Sequence, residues 1–223
     1  MLSLLKTGAL TAAALITLGA ASVAHAAPIL IDFTNNSQWS STTKPTSKVY
    51  GGVTVTVQAK VGASNGTLTY NPPYDGGTSP GSCKAAGVLK CDNDGLGVQP
   101  NNDDEYRGNK SITVTFSSPV SISRLFFLDL FVNEAGKYDV NGTSNPSYTY
   151  ASPTLPNPGG YWEQPVALSN VTSLKFYIPS QNTSSAALAG IETVPTPSAI
   201  SLLLIGLAAS GATLRKRRAS QVG

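Results

Sequence analysis

Alternation of apolar and polar positions with a period of two dominates the middle of the chain. Val53, Val55 and Val57 alternate with Thr54, Thr56 and Gln58, and Ile112, Val114 and Phe116 alternate with Thr113 and Thr115. This is the pattern of strands with one buried face. Residues 29–34 form a short apolar run. Residues 120–132 are more continuously apolar, with Phe126, Phe127, Leu128, Leu130 and Phe131. They read as a central strand buried on both faces, or as two strands with a bend. Residues 171–178 and 186–194 read as closing strands. Turn chemistry separates these segments at Asn65-Gly66, Asp75-Gly76-Gly77, Ser118-Pro119, Asn141-Gly142 and Pro158-Gly159-Gly160. No stretch between them holds a 3.6-residue period with caps. The pattern predicts an all-β, antiparallel β-sandwich, jelly-roll-like in preference to immunoglobulin-like.

Composition agrees with an exported β domain. Of 223 residues only 12% are charged, while Gly (21) and Pro (15) are numerous. The net charge of +3 is an effect of the two ends. Without Lys6, Arg215, Lys216, Arg217 and Arg218, ten of the 15 basic residues remain against 12 acids. Such a balance leaves no basic footprint for nucleic acid.

Residues 1–26 read as a signal peptide: Lys6 in the leading region, an apolar stretch over 9–23, and Ala24-His25-Ala26 as the cleavage site. The single histidine, His25, leaves with that segment. The expected mature chain therefore has no imidazole for a Ser-His-Asp or Cys-His mechanism. It also has none for a histidine-ligated metal. The expected organisation is a signal peptide over 1–26, a β-sandwich domain over 27–193 and a tail over 194–223.

The tail runs Val194-Pro195-Thr196-Pro197-Ser198, then 16 apolar or small residues over 199–214, then Arg215-Lys216-Arg217-Arg218. At about 1.5 Å per residue the apolar stretch spans roughly 24 Å as a helix, a short transmembrane segment. The basic cluster after it acts as a cytoplasmic stop. This tripartite tail resembles that of bacterial PEP-CTERM proteins, with Pro195, Thr196 and Pro197 at the sorting motif. Thr196 stands where that family usually has Glu. The resemblance implies transient anchoring in the inner membrane, processing by an exosortase-type sorting machinery, and delivery to the cell surface or the exopolysaccharide matrix.

Two candidate chemistries remain in the middle. Cys83 and Cys91 are the only cysteines, and in an exported chain a disulfide is the default expectation. Next to Cys91, the carboxylates Asp92, Asp94, Asp103, Asp104 and Glu105 crowd one stretch. Crowded carboxylates raise each other's pKa unless a cation intervenes, and Ca2+ takes such oxygen ligands. Gly95 is the fourth position from Asp92, so the stretch is not an EF-hand, and it reads equally as a solvated turn. Tyr161-Trp162 and Trp39 offer aromatic faces for sugar rings, or belong to the core. The favoured function is a non-enzymatic envelope or matrix protein, calcium-stabilised if the acidic stretch binds. The alternative is a polysaccharide-acting glycosidase or lyase using carboxylates such as Glu105, Glu134 and Glu163, or a carbohydrate-binding module.

Overall fold

Antiparallel pairing organises the chain in the computed structural model, which describes residues 27–70, 74–99, 105–152, 158–179 and 183–194. The strands are β1 (Ile29–Asp32), β2 (Thr46–Tyr50), β3 (Val53–Val61), β4 (Ser64–Asn65), β5 (Leu68–Thr69), β6 (Gly97–Val98), β7 (Lys110–Leu128), β8 (Ala135–Val140), β9 (Thr149–Ala151), β10 (Trp162–Tyr177) and β11 (Ala187–Val194). One helical turn, α1 (Cys83–Ala86), is capped by Ser82, whose side chain accepts from the Ala85 amide. Nine strands form one hydrogen-bonded sheet with the path β1-β11-β7-β10-β8-β9, and β3 joins it through β7, carrying β2 and β4. β5 and β6 form a separate pair.

The 19-residue β7 folds this sheet into a sandwich. Its first half pairs with β3, from Val61↔Lys110 to Val55↔Phe116. Its second half pairs with β11, from Val194↔Ser121 to Ala187↔Leu128. β10 follows β7 along both halves, with register shifts between Pro165 and Ser173 where the two strands bend together. The sequence marks Ser118-Pro119 as a turn, and the structure corrects this: one strand runs through it. Proline has no amide hydrogen, and is tolerated in a strand only where an edge lacks a partner. Residues 117–120 meet this condition, because β3 ends its pairing at Phe116 and β11 begins at Ser121.

The valine–threonine alternation of β3 does what its period requires, burying Val55 and Val57 completely. They join Ile31, Ile112, Val114, Leu125, Phe127, Leu174 and Phe176 in the main core between the layers. The second half of β7 is buried on both faces. Leu125 and Phe127 point into that core, whereas Phe126 and Leu128 join Tyr74, Cys83, Leu89, Cys91 and Tyr161 in a second cluster. The irregular segment 74–96 therefore roofs the outer face of β7 and β11. Truncating Phe126 or Phe127 to Ala should cost about 3–5 kcal/mol.

Candidate functional site

The roof is fastened to β1. Asp32 at the end of β1 accepts from the Thr34 amide at 2.8 Å and, through its other oxygen, from the Lys90 amide at 2.8 Å. The Thr34 hydroxyl accepts from the Cys91 amide at 2.8 Å, and the Thr34 carbonyl from the Asp92 amide at 3.1 Å. These bonds bring Cys91 to Cys83, and the two form a disulfide with Cα atoms 6.2 Å apart. Both cysteines are buried.

Beyond Cys91 the chain turns inward. Asn93 is buried, accepts from the Gly95 amide at 2.6 Å and donates to Asn36 at 2.7 Å. Gly95 (φ +93°) lies against β11, where a Cβ would sit 2.6 Å from the Leu188 carbonyl oxygen. That close approach carries Asp94 into the interior, with 3% of its surface exposed. Asp129 follows the end of β7 with φ +52° and is 8% exposed. It is held by the turn Pro158–Gly160, where the Gly159 carbonyl accepts from the Asp129 amide at 3.2 Å. Gly160 is required there, since a Cβ would lie 2.6 Å from the Asp129 Cα. Asp75 approaches from the solvent side. One carboxylate oxygen from each of Asp75, Asp94 and Asp129 lies within 4.8 Å of the others.

Three carboxylates this close, two of them buried, cannot all carry charge without a proton or a cation between them. The donor set is oxygen only, which suits a hard cation. Two oxygens on one Ca2+ can be about 5 Å apart, twice a bond of 2.3–2.6 Å, and the observed spacing falls inside that span. The neighbouring Tyr74 phenol senses the negative charge. Its pKa is raised, first by burial and then by Asp94 and Asp129.

Only part of the sequence-selected acidic set meets here. Asp94 is at the centre, but its companions are Asp75, which reads in sequence as a turn residue, and Asp129, which reads as part of an apolar strand. Asp92 turns away, accepting from the Asn36 amide at 3.3 Å and lying 4.0 Å from the Lys90 ammonium. The Glu105 carbonyl accepts from the Val98 amide beyond β6. Asp103 and Asp104 lie outside the described residues. A lone carboxylate between Leu128 and Leu130 is the signal in the sequence that marks Asp129.

The glutamates named for polysaccharide chemistry hold structure together. Glu134 accepts from the Phe131 amide at 2.6 Å and the Ser185 amide at 3.1 Å. Arg124 bridges Glu163 at 3.1 Å and Glu192 at 3.0 Å. Tyr161 donates to Glu163 at 2.5 Å and Ser123 to Glu192 at 2.6 Å. The aromatic expectation is corrected in part. Trp39 is 2% exposed, packed edge-on against Phe33 and donating to the Tyr50 hydroxyl at 3.1 Å, so it presents no face to a sugar. Tyr161 is buried in the second cluster, and Trp162 is half-buried in β10.

No helix among the described residues is long and apolar enough to cross a membrane. The leader 1–26, the motif Pro195, Thr196 and Pro197, the apolar run 199–214 and the basic stop Arg215, Lys216, Arg217 and Arg218 lie outside the described residues. Comparison with protein-family models, with curated proteins and with solved structures finds no match to this chain.

Proposed function

We propose that this chain is a non-enzymatic protein of the bacterial cell envelope or exopolysaccharide matrix, exported through its leader and sorted through its PEP-CTERM-like tail. Its partners are then an exosortase-type sorting machinery, the inner membrane while the tail is anchored, and exopolysaccharide at its destination, with no role for nucleic acid. The observation that carries the reading is the buried Cys83–Cys91 disulfide within the roof, a cross-link that persists in oxidising compartments. Calcium is the cofactor of this reading, held by Asp75, Asp94 and Asp129 and stabilising the roof against the sandwich. An oxygen-only donor set within 4.8 Å suits that cation.

The rival polysaccharide hydrolase draws less support. Its general acid needs a carboxyl kept protonated near neutral pH. Glu163 is instead engaged by the Arg124 guanidinium and the Tyr161 hydroxyl, and Glu134 by the Phe131 and Ser185 amides. Intact-mass measurement on cell fractions tests the proposal. The envelope and medium should hold a chain that starts at Ala27 and ends near residues 194–198. Full-length chain accumulating in the cytoplasm would overturn it.

A further inference from the structure

The bend in β7 leaves a notch in the sandwich. β3 departs from β7 at Phe116 and β11 arrives at Ser121, so the wedge between β3 and β11 is not closed by hydrogen bonds. A cavity of about 450 Å³ fills this wedge, a size that accommodates a small apolar ligand. Ile31, Val55 and Val120 form its floor, Tyr50 and Val194 its rim. None of its lining residues is charged, and it reaches the surface at Gly51 and Ser118, both exposed.

Two features specify the occupant. The first is where the chain leaves. Val194 is on the rim, and the apolar run begins at Ala199, five residues on. Five extended residues reach at most about 17 Å. A tail inserted in a bilayer therefore keeps the rim at Val194 within about 17 Å of the membrane surface. The second is charge. Lys48 lies opposite Val55 on the same face of the β2–β3 pair and is exposed. The carboxylates of β1 and β11 are engaged elsewhere, Asp32 with Thr34 and the Lys90 amide, Glu192 with Ser123 and Arg124. An apolar cavity with a cation at its margin matches an acyl chain beneath an anionic headgroup.

We infer that the notch between β3 and β11 docks on the bilayer that anchors the tail and takes up an acyl chain of an anionic membrane lipid. The inference rests on the proposed anchoring of residues 199–214. Trp39 supplies the reporter, because it is stacked on Tyr50 of the rim, with ring centroids 6.4 Å apart, and is itself shielded from the bulk bilayer. The full chain carrying Trp162→Phe is reconstituted into phosphatidylcholine–phosphatidylglycerol vesicles, with and without bromine on the acyl chains. Brominated lipid should abolish most of the Trp39 emission, and Ser118→Phe, which plugs the mouth from an exposed position, should restore it. The unsubstituted chain should show the same loss over a Trp162 background. Equal emission in the two lipids, from chain that floats with the vesicles, overturns the inference and leaves the anchoring intact. Chain that does not float overturns the anchoring, and the inference with it.

Discussion

The hydroxyls of Tyr106 and Tyr150 meet at 2.8 Å in the centre of the core, both side chains completely buried. The Tyr150 ring stacks on Phe127 with centroids 4.1 Å apart, so one polar contact is embedded in the largest aromatic group of the sandwich. Tyr106→Phe should cost about 1–2 kcal/mol. The Tyr150 hydroxyl would then keep only a long bond of 3.5 Å to the Tyr177 carbonyl. The double Phe variant should cost less than the sum of the two single changes, because it leaves neither hydroxyl stranded. Additive losses in urea titrations would show that the two phenols are not coupled.

The same burial sets the alkaline limit of the fold. Tyr106 and Tyr150 have pKa values raised by desolvation, and that of Tyr50 is pushed up to about 12, also mainly by burial. A phenol with a raised pKa stays protonated in the folded state at a pH where the unfolded chain has lost the proton. Its contribution is therefore complete below about pH 10, the ordinary tyrosine value, and declines as pH rises above it. Absorbance at the phenolate band should rise together with loss of the sheet signal in circular dichroism. Early, non-cooperative ionisation of all the tyrosines, with the sheet intact, would contradict the buried assignment.

The disulfide closes a loop with a sequence separation of 8 residues. The chain-entropy relation for so short a loop gives about 2–3 kcal/mol. Cys83→Ala/Cys91→Ala should lower the unfolding free energy by that amount and leave the sheet formed, since the main core lies on the other face of β7. Thiol titration of the denatured, unreduced protein should find none free, and finding two would refute the pairing.

Calcium should stabilise the folded state by about 2.7 kcal/mol at 100 times Kd. For a chain of this size that raises the melting midpoint by about 5–10 °C. EDTA should reverse the gain. Mg2+ should give less, because it wants a tighter octahedron and keeps its waters. Asp94→Asn and Asp129→Asn should each abolish the response, whereas Asp92→Asn should preserve it. In calcium-free buffer Asp129→Asn should be neutral or stabilising, since it relieves repulsion inside the cluster. A midpoint indifferent to millimolar calcium would remove the metal from the reading.

Period-two alternation made β3 and the first half of β7 legible, because each has one wet and one dry face. The continuity of β7 through Ser118-Pro119 was not legible. That dipeptide carries a local turn signal, and only the missing neighbour at residues 117–120 allows it to stay extended. The first half of β10 was hidden for a related reason: Glu163, Gln164 and Pro165 mask the alternation that begins at Trp162. The disulfide could be read from composition alone. The acidic centre could be read only at Asp94, since Asp75 and Asp129 reach it from distant parts of the chain and a linear run of carboxylates says nothing about such convergence.

Among the described residues β1 pairs only with β11, Ile29 opposite Thr193 and Asp32 opposite Gly190. The first strand of the domain therefore waits for the last. Closing that pair joins segments separated by almost the whole length of the domain, the kind of contact that makes folding slow. A chain emerging from the ribosome cannot complete its sheet until β11 has been synthesised. Until then β11 is missing and β1 has no partner strand to close the sheet. The placement of β1 and β11 side by side thus works as a timer, delaying the closed sheet until nearly the whole domain has left the ribosome.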